Sequence, residues 1–291
     1  MYSGSIVAIV TPMTETGEVD YAAWERLLDW HLEQGTDGIV VCGTTGESPT
    51  VTLAEAQELT RRAVARLGGR LPVIAGSGTN DTAASIERTR ALAAAGADAV
   101  LVVTPYYSKP TQEGLFQHFT AIADDSPVPV VLYNVPGRTG VDMQPSTVGR
   151  LARHPRIVAI KEAVAGAARV RELSAACGED LAVISGDDPT AVDAILVGAT
   201  GVISVTANVA PAAMSAVCEA ALAGDEEAAR AADAPLRRLH DALFVEPNPI
   251  PAKWAVHRLG FIGTGIRLPL TPLTAGAQSD VWAAMTAAGV A

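Results

Sequence analysis

Short apolar runs alternate with longer segments of helical period along most of the chain. The first run, Ile6–Val10, is closed by Thr11-Pro12. A helical pattern follows from about Asp20, with Tyr21, Trp24, Leu27, Leu28 and either His31 or Leu32 on one face, and Gly35 ends it. Gly38–Val41 is the second run. After it, Thr52-Leu53-Ala54-Glu55 has the spacing of a capping box and opens the next helix. The rhythm then repeats. Strands are predicted at Leu71–Ala75, Asp98–Val103, Val128–Tyr133, the run through Ile157–Lys161, Leu181–Ile184 and Gly201–Val205. Helices are predicted between them at about Asp81–Ala95, Gln112–Ala123, Pro145–Arg153, Ala167–Ala176 and Pro189–Val197.

Apolar strands that alternate with helices are the pattern of βα units on a parallel sheet. Eight of them predict an α/β fold, a closed (β/α)8 TIM barrel over residues 1–223. An open, doubly wound sheet is the second choice, but no G-x-G-x-x-G follows the first strand. Residues 224–291 have no strand pattern. Helical segments near Asp225–Phe244, Ala252–Leu259 and Ser279–Ala288, broken by Pro247, Pro249, Pro251, Pro269 and Pro272, predict a small helical C-terminal extension packed on the barrel.

Composition narrows the function. The 291 residues are 49% hydrophobic but only 4% aromatic, as expected for many well-packed helices over a sheet. A net charge of −11 without a basic stripe argues against nucleic acid and against an anionic membrane surface as partners. Cys42, Cys177 and Cys218 are far apart and no C-x-x-C occurs, so neither a disulfide framework nor a zinc site is expected. The N-terminus lacks the pattern of a signal peptide and no apolar run approaches membrane-spanning length, so a cytoplasmic protein is expected.

Candidate chemistry centres on Lys161, at the end of the apolar run that starts at Ile157. Such a strand is buried on both faces. An amine aimed into an apolar interior is disfavoured as the ammonium, and a neutral amine is the nucleophile that a Schiff base requires. A lone lysine at a strand end more often just pairs with a carboxylate, so the neighbouring strand ends decide. Gly43-Thr44-Thr45-Gly46 suits a carboxylate cradle, with hydroxyls and backbone N–H groups at a helix N-terminus, or is only a tight turn. Tyr133 suits a proton shuttle beside the lysine, and Arg138 in a Gly-rich loop suits a bidentate carboxylate clamp. Tyr106 reads as a packing aromatic, and Ser185-Gly186-Asp187-Asp188 as a turn and N-cap with carbonyls facing the pocket.

Together these residues resemble the dihydrodipicolinate synthases, within the pyruvate-dependent class I aldolases that also include N-acetylneuraminate lyase. The resemblance rests on Gly43-Thr44-Thr45-Gly46-Glu47-Ser48, Tyr106-Tyr107, the segment from Tyr133 to Gly140, Ile160-Lys161-Glu162-Ala163, Ser185-Gly186-Asp187-Asp188, the segment from Gly201 to Val209, and Glu246-Pro247-Asn248-Pro249-Ile250-Pro251. It implies condensation of pyruvate with aspartate 4-semialdehyde through an imine on Lys161. Thr45 would hold the pyruvate carboxylate. Thr44, Tyr133 and Tyr107 would relay protons, Arg138 would bind the aldehyde's carboxylate, and the carbonyls of Gly186 and Ile203 would face the pocket. It further implies no cofactor or metal, and a homotetramer built as a dimer of dimers in which Tyr107 reaches the neighbouring subunit's site.

Two departures stand out. Val164-Ala165-Gly166 replaces a Thr-Gly that often follows the lysine motif, with little effect expected. At the family's lysine feedback site Ser48, Asn80 and Tyr106 are kept, but Leu53, Ala56 and Ala84 are apolar where sensitive members carry polar or ionisable groups. An apolar set leaves a ligand ammonium uncompensated, so weak or absent inhibition by lysine is expected. A sister aldolase acting on a sugar acid or hydroxy-oxo acid is the alternative, and a catalytically silent oxo-acid binder a more distant one.

Overall fold

The computed structural model describes residues 2–291. Eight parallel strands close into a barrel in sequence order: β1 Gly4–Ala8, β2 Gly38–Val41, β3 Val73–Gly76, β4 Ala99–Val103, β5 Val130–Asn134, β6 Ile157–Glu162, β7 Ala182–Ser185 and β8 Gly201–Ser204. This is the (β/α)8 barrel that the hydrophobic pattern predicts. Because side chains alternate across a strand, each strand feeds two cores. Ile6, Val40, Ile74, Leu101, Val131, Ala159, Ile184 and Ile203 fill the barrel interior. Val7, Ile39, Val73, Val100, Leu132, Ile160, Val183 and Val202 face the surrounding helices.

Closure depends on a close approach at the β1–β8 seam. Gly201 pairs with Gly4 and has φ +158°, and a Cβ there would collide with the carbonyl of Gly4. Asn208, buried just after β8, completes the seam. Its Oδ1 accepts from Val10 N–H at 2.9 Å and its Nδ2 donates to Ala8 O at 2.8 Å. That bond draws Val10 out of the ladder, so β1 ends at Ala8 rather than at the predicted Val10.

Most helices start where the sequence signals. Thr52 and Glu55 form the expected capping box, and Asp20, Asp81 and Thr111 cap the helices Tyr21–Glu33, Thr82–Ala94 and Gln112–Asp125. Three departures have physical reasons. Pro136–Thr139 is a single helical turn inside the predicted Gly-rich loop, with Pro at its first position where the missing N–H costs nothing. The helix Pro211–Leu222 after β8 has no counterpart in the predicted pattern, since alanines on several faces blur its period. Pro251 lies in the first turn of helix Ile250–Arg258 instead of breaking it.

The C-terminal segment is fastened to the barrel by buried charge. Lys253 and Glu47 form an ion pair with side chains 5% and 0% exposed. Burial lowers the Lys253 pKa, and the Glu47 carboxylate opposes that shift. Arg267 donates its backbone N–H to Glu47 Oε2 at 3.1 Å, and its guanidinium binds Thr50 O at 2.6 Å and Gly17 O at 2.8 Å. The same guanidinium grips both oxygens of Glu55 and holds that carboxyl down to about 2.

Lys253→Met should cost about 3–5 kcal/mol, because it strands a buried carboxylate. Arg61→Met, which removes the exposed pair with Glu58, should cost less than about 1 kcal/mol. Urea unfolding of the three proteins measures both, and equal losses would contradict the assignment.

Candidate active site

Lys161 is the penultimate residue of β6, two positions after the interior residue Ala159, so its side chain enters the barrel. It is 5% exposed. In register across β5 stands Tyr133, and Lys161 Nζ lies 4.5 Å from the centre of the tyrosine ring. On the other side is Gly186, just after β7. A Cβ there would come within 2.9 Å of Lys161 Cε and 3.1 Å of its Cγ, so glycine leaves the room that the lysine stem occupies. Ile203 of β8 belongs to the same interior cluster as Tyr133.

Of the two readings of the Thr44-Thr45 segment, the structure takes the tight turn. It is not a helix N-terminus: turns run from Cys42 to Ser48, and the helix starts only at Leu53. Cys42 and Glu47 take positive φ of 53° and 57°, and Gly46 is packed so tightly that a Cβ would meet Cys42 and Ile9 backbone at 3.0–3.1 Å. The N–H groups of Gly46 and Glu47 donate back to Gly43 O and Thr44 O, at 3.0 and 3.1 Å. The turn therefore uses its later amides internally, while those of Thr44 and Thr45 donate to no backbone carbonyl among the described residues. Thr45 is buried, and its Oγ1 accepts from Asn248 Nδ2 at 2.9 Å. Asn248 O in turn accepts from Arg138 Nη2 at 3.4 Å. Asn248 is a site residue that the sequence marks only by its Pro-rich motif; its part depends on a contact 203 residues away.

Thr44 and Arg138 line a cavity of about 350 Å³ together with Ser48, Thr79, Arg88 and Tyr106. A wider cleft of about 780 Å³, with Tyr2, His154 and Asp180, lies at the amino-terminal end of β5 and β6. Barrel chemistry belongs to the carboxyl end, so the smaller cavity is the relevant one. Tyr107 is not brought to Lys161 within the chain: its φ is +71° and it is 90% exposed. Of the other feedback-site positions, Ala56 is fully buried in the core, Leu53 and Ala84 are half-buried, and Asn80 is exposed.

Within Ser185–Asp188 the N-cap position before the helical turn Asp188–Thr190 falls on Asp187, and Asp188 has another part. It is buried, and its Oδ2 accepts the N–H groups of Val205 and Thr206 at 2.9 Å, pinning the end of β8. Asp187 instead accepts the Thr190 hydroxyl at 2.6 Å. Among the described residues no group of three or more His, Cys, Asp or Glu is gathered to hold a metal. The three cysteines are buried and free.

A second charged network stands on the outer face of the same strand ends. Glu162, next to Lys161 but pointing the opposite way, is 2% exposed. It accepts from Asn134 Nδ2 at 3.1 Å and from Val164 N–H at 2.8 Å, and Arg169 Nη1 lies 3.9 Å away. Asn134 and Arg169 also bind Asp142, at 2.7 and 2.6 Å. Burial pushes the Glu162 carboxyl up to about 7, against these donors. The network could have been suspected from a carboxylate inside an otherwise apolar run; its partners could not.

The chain matches the Dihydrodipicolinate synthetase family over residues 1–288. It is 54% identical to the 4-hydroxy-tetrahydrodipicolinate synthase of Methylococcus capsulatus over 290 residues, all of both chains. It is 49% identical to that of Coxiella burnetii over 290 residues, 100% of this chain and 99% of the relative. The chloride-inhibited dihydrodipicolinate synthase of Acinetobacter baumannii, solved in complex with pyruvate, is 50% identical and superposes over 100% of both chains with a TM-score of 0.99.

A carboxyl whose pKa is raised on folding favours the fold while protonated. The Glu162 contribution is therefore present below the ordinary carboxylate range and is lost as pH rises towards about 7. His31 and His118, held near 3 and 4 by burial, act in the opposite sense, so the variant difference isolates Glu162. Glu162→Gln should remove a stability loss of about 1–3 kcal/mol between about pH 5 and about pH 8. Urea unfolding at both pH values tests this; an unchanged difference would refute it.

Proposed function

The chain belongs to the dihydrodipicolinate synthetase family, and on that premise we propose that it works as a 4-hydroxy-tetrahydrodipicolinate synthase acting on pyruvate and aspartate 4-semialdehyde. The observation that supports this most is a buried lysine inside a barrel, in register with a tyrosine 4.5 Å from its amine. Lys161 Nζ attacks the pyruvate ketone and loses water to give an imine. Loss of a methyl proton gives the enamine, whose carbon attacks the aldehyde and forms the new C–C bond. The amine of the former aldehyde substrate then attacks the imine carbon, closing the ring and releasing Lys161.

Tyr133 passes protons in imine formation and release, in a relay with Thr44 and with Tyr107 of a second copy of the chain. The exposed ring of Tyr107 fits a homodimer as the smallest complete unit, with two such pairs making a homotetramer. Thr45 holds the pyruvate carboxylate. Because its oxygen already accepts from Asn248, its hydroxyl hydrogen is left to donate to that carboxylate. Asn248 thus positions Thr45 and, through its carbonyl, Arg138, which binds the carboxylate of the aldehyde substrate. The carbonyls of Gly186 and Ile203 face the bound substrate. Inhibition by lysine is weak, since Leu53, Ala56 and Ala84 offer no group to pair with its ammonium.

Borohydride reduction with pyruvate should leave an adduct on Lys161 by peptide mass mapping, and the same preparation should turn over aspartate semialdehyde. An adduct without turnover would move the reading to a sister aldolase; no adduct would end it. Tyr133→Phe should lower kcat by about 10²–10⁴-fold and change the pyruvate KM far less. An inhibition assay with lysine checks the feedback claim, and strong inhibition would refute it.

A further inference from the structure

The cavity at the barrel mouth contains charge that the reaction does not use. Its two charged lining residues are Arg88 and Arg138, and no carboxylate lines it. Arg88 stands on the helix Thr82–Ala94, half-buried, and the mechanism above assigns it no task. Among the described residues its guanidinium has no hydrogen bond or ion pair. Arg138 donates only to Asn248 O, at 3.4 Å. Glu55, on the adjacent helix Leu53–Leu67, is already held by both guanidinium arms of Arg267 and by the capping box. Around the two arginines the hydroxyls of Ser48 and Tyr106 make no hydrogen bond among the described residues, and the Thr44 hydroxyl, the relay member proposed above, makes none within the chain.

A guanidinium offers only donors, and a hydroxyl can donate as well as accept, so this lining calls for an acceptor-rich ligand of negative charge. An ammonium ligand would meet two like charges and no counter-charge. At about 350 Å³ the cavity is at the small end of ligand sites. We propose that it is a binding site for a short-chain dicarboxylate, one carboxylate held by Arg88 with Ser48 and the other by Arg138 with Thr44. Given the aldehyde subsite proposed above, such a ligand competes with the aldehyde and leaves pyruvate binding on Lys161 untouched. The cleft thus senses a small dianion, where the family resemblance alone points to a cationic amino acid.

The test uses full-length enzyme whose Lys161 carries the borohydride-reduced pyruvyl group, so that the imine site is occupied. Succinate is titrated calorimetrically, with acetate, chloride and lysine as comparisons. Saturable binding of succinate at least about tenfold tighter than that of acetate or chloride is expected from paired guanidinium contacts. Arg88→Leu should weaken succinate at least about tenfold, and Arg88→Lys should restore part of the loss. Thermal unfolding and the fraction of chains carrying the adduct establish that each variant is folded. Succinate no tighter than acetate, unchanged affinity in Arg88→Leu, or tighter binding of lysine than of succinate would each overturn the proposal. If no adduct forms, the reaction mechanism fails separately, and titration of untreated enzyme still decides the dianion site.

Discussion

The two-residue period of β6 inside a closed barrel is the constraint on which the site depends. Lys161 and Glu162 are neighbours in sequence, yet one enters the interior and the other the layer beneath the helices. Both are buried, so each needs its environment supplied by the strand beside it. Register on β5 answers both at once: Tyr133 faces Lys161 and Asn134 faces Glu162. A slip of one residue would put the amine against the helices and the carboxylate in the interior, each without a partner. The outer network of Asn134, Glu162, Asp142 and Arg169 and the inner pair of Lys161 and Tyr133 are two faces of the same alignment.

The turn carrying Thr44 and Thr45 is held by a second constraint, set from the far end of the chain. It contains Cys42 and Glu47 at positive φ, a conformation that non-glycine residues rarely adopt without support. Support comes from Lys253, the Arg267 backbone and Asn248, all in the C-terminal segment. A buried ion pair of this kind contributes little net stability against an apolar replacement. Its value here is geometric, because it ties the segment that carries Asn248 to the turn that carries Thr45. The C-terminal segment therefore shapes the candidate site as well as packing on the barrel.

Charge is distributed against the average. The chain carries a net −11, which would repel anionic substrates from most of its surface. Among the described residues, the charged side chains that line the cavity at the barrel mouth are Arg88 and Arg138. A local cationic cavity in an acidic protein favours small anions at the carboxyl end of the barrel.

Periodicity determined a parallel sheet of eight strands covered by helices, because only such a sheet buries both faces of every apolar run, while closure into a barrel rests on the pairing of β1 with β8. Local chemistry in the sequence marks most caps and strand ends, and marks Lys161, Tyr133, Thr44, Thr45 and Arg138 as candidates. Tertiary structure decided what depends on contacts distant in sequence. Asn248 reaches Thr45 across 203 residues, Asp188 accepts the N–H groups just after β8, and Lys253 pairs with Glu47. The same holds for Arg88, an ordinary helix residue by its sequence neighbours and an unpaired cation only once the cavity closes around it. Periodicity and capping act over a few residues and can be read along the chain. Desolvation and pairing of charge depend on which strands and loops meet, and that is settled when the barrel closes.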